Sequence, residues 1–143
     1  MNHVHACVLI PGSLGTIETR LHRHLAALRG DGGSASLVLR VPDLSTDHRT
    51  EIRLHLDDAF GASETRGMSS VSWAPLSERA CPEFKGALLL WALDAQSSWM
   101  GIDGVFEWPM RAPAGNAERA LAHGATVEIA FDILRRFESL IAN

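Results

Sequence analysis

Histidine and carboxylate side chains are the groups of this chain best suited to chemistry, and their spacings restrict what that chemistry can be. His123 stands near the centre of the apolar arc of a long C-terminal helical segment, where an imidazole could orient a ligand or exchange a proton. A buried histidine satisfied by a backbone carbonyl would occupy the same position. His3 and His5 are two residues apart on a strand-like segment, a spacing that puts two imidazoles on one side, but no Asp, Glu or Cys adjoins them in sequence to complete a metal site. His22 and His24 fall about 200° apart on a helix and cannot share a site. Asp103 and Glu107 alternate with apolar residues. Four residues of strand separate them by about 13 Å, beyond the roughly 5 to 9.5 Å of paired glycosidase carboxyls. Ser69, Ser70 and Ser72 lack a G-x-S-x-G context, and Gly61, Gly67 and the glycines between 30 and 33 precede no phosphate-cradling helix. Nucleophilic and nucleotide chemistry therefore have no support, and neither a metal nor a cofactor is expected.

Composition narrows the class. The 143 residues are 46% apolar and 21% charged with a formal charge of −4, the balance of an ordinary globular protein. The length suits one domain spanning 1–143, able to bury about 70% of its unfolded surface. Arginine supplies 12 of the 13 basic residues without forming a basic run, so a nucleic-acid partner is not expected. Cys7 and Cys81 show neither CxxC spacing nor the density of a secreted scaffold. The N-terminus lacks a signal-peptide core, and no stretch reaches the roughly 18 apolar residues of a membrane span. The expectation is a cytoplasmic protein with no membrane insertion.

The elements that must position these side chains follow from periodicity. Residues 3–10 form a β-rich strand ended by Pro11 and Gly12. Ser13 then caps a helix to about Arg29, with Leu14, Ile17, Leu21, Leu25 and Leu28 as its apolar stripe. Residues 35–41 are compatible with a strand or a helical turn, closed by Pro42 either way. From Thr50, alternation sets Ile52, Leu54 and Leu56 against Arg53, His55 and Asp57, the period of a half-buried antiparallel strand. Further strands at about 68–74, 84–93 and 98–108 are joined by short polar turns and predict a meander. Residues 116–142 predict a helix of about 40 Å. Its broad apolar face carries Leu121, Gly124, Val127, Phe131, Leu134, Phe137 and Ile141, widened by Ile129, Ile133 and Leu140. A narrow polar stripe holds Glu128, Asp132, Arg135 and Arg136, with Asp132 placed to pair with either arginine.

This order of elements resembles the SRPBCC or START-like superfamily, and in particular its short bacterial members. The resemblance covers nearly the whole chain. It rests on the first strand running into Pro11 and a helix, on Ser70 to Pro75, on Pro82 to Gly86 before a strand, on Gly104 to Pro109, and on Ala120 to His123 leading into Ala125 and Thr126. It implies an α+β helix-grip fold, a curved antiparallel sheet clasping the long C-terminal helix, with a pocket between them for a lipid-, sterol- or polyketide-like molecule. Some relatives carry out cyclisation or dehydration there. Residues 35–41 depart from the pattern, because they do not show the short second helix usual at that point.

Strand parity assigns sides. Leu88 and Leu90 share the inner face with Gly86, and Met100, Ile102 and Phe106 share it with Gly104. Together with Trp73, His123, Val127 and Phe131 they are the expected lining of an apolar pocket. Leu89, Trp91, Leu93, Trp99 and Val105 turn outward, and a patch of that size predicts a self-association or partner surface, unless the first helix or the 57–67 loop covers it. The expected function is non-enzymatic binding of a small hydrophobic molecule. The rivals are a cyclase or dehydratase using His123, and an interaction module with a filled cavity acting through Trp91 and Trp99.

Overall fold

The computed structural model describes residues 2–26, 34–42, 49–57, 66–76, 82–107 and 116–142. In chain order they form β1 (His3–Pro11), α1 (Leu14–Ala26), β2 (Ser34–Pro42), β3 (Arg49–Asp57), β4 (Arg66–Pro75), β5 (Glu83–Asp94), β6 (Ser97–Glu107) and α2 (Asn116–Ala142). The six strands make one antiparallel sheet in the order β1-β6-β5-β4-β3-β2, so β3 to β6 are the expected meander, β2 extends it beside β3 and β1 joins beyond β6. Residues 35–41, compatible with either state by sequence, lie in β2, which pairs with β3 from Ser34↔Asp57 to Pro42↔Arg49.

The sheet is curled, because α2 packs against β1 and also against β2, the two edge strands. Arg136 ties the helix to one edge by donating from its guanidinium to the Arg40 carbonyl at 2.8 Å. Asp132 receives the Arg136 Nε at 3.1 Å, one of the two pairings expected for it. Five residues further on, Arg20 of α1 donates to the Ile141 carbonyl at 3.1 Å, occupying a carbonyl that the end of α2 leaves without a helical partner.

The turn from β1 to α1 forms as its residues dictate. Gly12 has φ of 132°, a region that favours glycine, and its N–H donates to the Gln96 carbonyl at 2.7 Å. The buried Ser98 hydroxyl donates to the Gly12 carbonyl at 3.0 Å, pinning this turn to the β5–β6 hairpin. Ser13 caps α1 by accepting the Thr16 N–H at 3.3 Å. Leu14, Ile17, Leu21 and Leu25 are buried as one stripe; Leu28, expected to extend it, lies outside the described residues, as does Trp108 beyond β6.

Beside that stripe, Glu18 is half-buried with Oε1 lacking a hydrogen-bond partner among the described residues, and desolvation raises its pKa above the ordinary 4.5. The folded state then keeps this proton to higher pH than the unfolded state does. Its contribution is therefore unfavourable once the carboxyl ionises, and it falls away as pH drops below the ordinary value. Glu18→Gln is expected to raise the melting temperature at pH 7 and to lose that advantage below pH 4.5; a variant less stable than wild type at pH 7 would mean that the carboxylate has a favourable partner.

Candidate functional site

Alternation along the strands gives the sheet an inner face toward α2 and an outer face. The inner face is laid out in cross-strand rows. Leu54, Trp73, Phe84 and Phe106 are successive partners across β3, β4, β5 and β6, and all four are buried. The Trp73 and Phe84 rings stack at 4.1 Å with planes 13° apart. The next row is Leu56, Val71, Gly86 and Gly104. A Cβ on Gly104 would lie 2.6 Å from the Gly86 Cα and 2.7 Å from the Phe84 ring. The missing side chains are what let the two strands approach and the Phe84 ring lie over them.

Beyond the glycines, Leu88 pairs with Ile102 and Leu90 with Met100. These four are fully enclosed, each at 0% exposure, so no water-sized space adjoins them and this end of the interior is packed solid. The six strand residues expected to line a pocket, Trp73, Leu88, Leu90, Met100, Ile102 and Phe106, all lie on the buried inner face, and four of them, Leu88, Leu90, Met100 and Ile102, are fully enclosed.

The opposite end differs. His123 lies 7, 11 and 18 residues before Ala130, Leu134 and Ile141, so it shares their helical face. Those three are buried, yet His123 is exposed, and its ring meets Phe106 edge-on at 6.1 Å. An inward-facing residue that keeps solvent exposure marks the place where helix and sheet part. Val127 and Phe131, half-buried against the core, flank the same stretch of α2. The buried-histidine expectation is thus corrected. The expected apolar face of the helix is buried at Ile129, Ile133, Leu134, Phe137 and Ile141 but is corrected at its start, where Leu121 is 61% exposed and Gly124 is exposed while Ala122, Thr126 and Ala130 enter the core. Thr126 is tolerated there because its hydroxyl donates to the Ala122 carbonyl at 2.7 Å, satisfying it within its own helix.

One polar group on the inner face is left over. Nε1 of Trp73 is buried with no hydrogen-bond partner among the described residues, a state that costs about 1–3 kcal/mol when it persists.

The outer face carries two features. Leu89, Trp91, Leu93, Trp99 and Val105 all project there as expected. Trp91 and Trp99, directly opposed across β5 and β6, stack with centroids 6.3 Å apart. Leu93 at 54% and Leu9 at 47% extend the apolar surface. Further along, β1 brings both of its histidines to Asp103: His5 is its cross-strand partner with Nδ1 at 3.4 Å from one carboxylate oxygen, and His3 Nε2 hydrogen-bonds the other. Sequence reasoning found no carboxylate for these histidines because it joins them across nearly a hundred residues. Among the described residues no three His, Cys, Asp or Glu side chains have metal-ligand spacing.

The second outer feature had no sequence signal. Beside the Trp73↔Phe84 pair at the end of the β4–β5 ladder, a pocket of about 390 Å³ opens, walled by Trp73, Phe84, Pro75 and Leu76 and rimmed by Arg53, His55, Lys85, Glu83 and Glu107. Its rim is formed by outward positions, whereas Trp73 and Phe84 belong to the inner aromatic row.

No protein-family model matches the sequence, nor does any curated protein. Solved structures do. The chain is similar to the Zhui aromatase/cyclase from Streptomyces sp. R1128, with a TM-score of 0.63 at 13% identity over 98% of this chain and 93% of that one. It is similar to Ara h 8.0201, with a TM-score of 0.58 at 13% identity over 99% and 98%. A START superfamily protein from Mycobacterium smegmatis gives 0.50 at 14% identity over 96% and 98%. These likenesses establish the fold: an SRPBCC/START-like helix-grip arrangement in which the sheet clasps the C-terminal helix. No helix among the described residues is long and apolar enough to cross a membrane.

Proposed function

We propose that this chain binds a small hydrophobic molecule, lipid-, sterol- or polyketide-like, between the sheet and α2 at the end bounded by Phe106, His123, Val127 and Phe131, without transforming it. The observation that supports this reading is the exposure of His123 on the helix face that is buried further along at Ala130, Leu134 and Ile141, with its ring edge-on to Phe106 of the buried aromatic row. Trp73 forms part of that row, and Leu88, Leu90, Met100 and Ile102 close the floor. An apolar ligand gains about 25 cal/mol for each Å² it removes from water, so roughly 200 Å² of contact supplies about 5 kcal/mol before the costs of association. The imidazole adds one oriented polar contact at the rim.

The outer face bears on assembly. The partly exposed Leu89, Trp91 and Trp99 with the exposed Leu93 and, further along, Val105 give the outer face an apolar character that supports self-association through the β5–β6 hairpin. Both readings meet in one measurement. Native mass spectrometry of protein purified from its own cells is expected to show a dimer carrying an added noncovalent mass, and Trp91→Glu is expected to reduce it to a monomer with that mass retained. A bare polypeptide mass that no added apolar compound shifts would overturn the binding reading. An unchanged subunit count in Trp91→Glu would remove the interface.

A further inference from the structure

We infer that the pocket beside the Trp73↔Phe84 pair is a second binding site, taking a ring-sized molecule with an anionic group at one side of its ring and a cationic group at the other. It is separate from the site between sheet and α2 and does not rest on that reading. The pocket lies where one ladder ends and its neighbours go on. The β4–β5 ladder stops at Trp73↔Phe84. Past that pair β4 stays on β3, through Ile52↔Pro75 and the Leu76 N–H donating to the Glu51 carbonyl at 3.0 Å, while β5 stays on β6 at Glu83↔Glu107. The space of about 390 Å³ falls within the roughly 300–1,000 Å³ of small-molecule sites. Two side chains that line it, Leu76 at 44% and Val105 at 48% exposure, leave apolar surface in water, and an apolar ring laid over them would remove it.

The charges around the pocket are divided by strand. On β3, Arg53 has Val38 and Ala74 as its cross-strand partners, so no carboxylate opposes its guanidinium. Glu51, the next acid along that face, is opposed by Arg40 instead. A guanidinium in this position presents a planar fork that takes a carboxylate through two parallel hydrogen bonds. On the other side, Glu83 and Glu107 oppose each other directly, a like-charge pairing that is unfavourable and that a cation would relieve. Lys85, two residues along the same face of β5, offsets only one of these two carboxylates. None of the four groups has an ion pair among the described residues. At about 4.8 Å per strand, Arg53 and Glu83 stem from backbones at least about 10 Å apart, with Glu107 one strand further. That span suits charges on opposite sides of a ring rather than two charges on one carbon.

The test uses 4-(aminomethyl)benzoate, its single-charge counterparts 4-methylbenzoate and 4-methylbenzylamine, and its isomer phenylglycine, whose two charges share one carbon. Binding is followed by NMR titration of the main-chain amides of Ala74 and Glu83. 4-(Aminomethyl)benzoate is expected to bind about fivefold more tightly than each of the others, equivalent to about 1 kcal/mol, the upper end for exposed ion pairs. Arg53→Gln should remove its advantage over 4-methylbenzylamine, and Glu83→Gln with Glu107→Gln its advantage over 4-methylbenzoate. All three positions are exposed, so these substitutions leave the core intact. Ala74→Trp, which fills the pocket, should weaken 4-(aminomethyl)benzoate at least about tenfold, and Val127→Trp, on the helix side, should leave it unchanged; should Ala74→Trp fail to fold, the charge variants and the wild-type amide shifts decide. Equal affinities for the four probes, a preference that survives the charge substitutions, or no binding at millimolar probe would overturn this site and leave the reading between sheet and α2 standing. Weakening by Val127→Trp in place of Ala74→Trp would overturn it as well, by placing the probes on the helix side.

Discussion

Gly104→Ala is expected to cost at least about 3 kcal/mol, enough to lower the melting temperature by about 10 °C. The added methyl would stand inside the Lys85 carbonyl, 2.6 Å from the Gly86 Cα and 2.7 Å from the Phe84 ring. Two of these obstacles are backbone atoms of the neighbouring strand, so relief requires β5 and β6 to separate rather than a side chain to turn. That separation would also displace Phe84 from its stack with Trp73. Gly101→Ala is the comparison, since its methyl would meet the Trp91 ring and the Ala6 carbonyl only at 3.1–3.2 Å and should cost clearly less. Thermal unfolding followed by circular dichroism checks both. A Gly104→Ala midpoint within two or three degrees of wild type, on the order of 1 kcal/mol or less, would show that the strands do not approach as described.

The glycine pair illustrates how unevenly sequence reports on this fold. Period-two alternation was enough to place Ile52, Leu54 and Leu56 inside and to sort the β5–β6 hairpin into an inner set with Leu88 and Met100 and an outer set with Trp91 and Trp99. Alternation is a local property of the pleat and survives any tertiary arrangement that buries one side. Periodicity on α2 was less informative for a physical reason. It gives the angle of His123 about the helix axis correctly, but not where the sheet beneath the helix ends, and it is that end which leaves His123 exposed. Leu121 was misjudged in the same way. The meeting of His3 and His5 with Asp103 depends on β1 pairing with β6, a contact between strands nearly a hundred residues apart that no local pattern records. The pocket beside Trp73 and Phe84 gathers residues of β3, β4, β5 and β6, a juxtaposition across four strands that no local pattern records.

Phe106→Ala separates the two roles that an inward-facing residue can have here. Removing a buried phenyl ring is expected to cost about 3–5 kcal/mol. Leu88→Ala is expected to cost a comparable 2–5 kcal/mol, because Leu88 is fully enclosed and its cavity would be lined by Ile102 and its neighbours. Stability alone does not distinguish them, but the location of the new space does. The cavity left by Phe106 adjoins the exposed imidazole of His123 and so enlarges the place where a ligand enters, whereas the cavity left by Leu88 is sealed within the floor. Phe106→Ala should therefore shift preference toward bulkier apolar probes, and Phe131→Ala, being half-buried at the same stretch of α2, should do so with a smaller loss of stability. Leu88→Ala should leave the order of affinities unchanged. Probe affinities measured at a temperature where all three variants remain folded decide the matter: if Leu88→Ala alters selectivity as much as Phe106→Ala, the interior opens at its floor, and the entrance between His123 and Phe106 is not where the ligand is chosen.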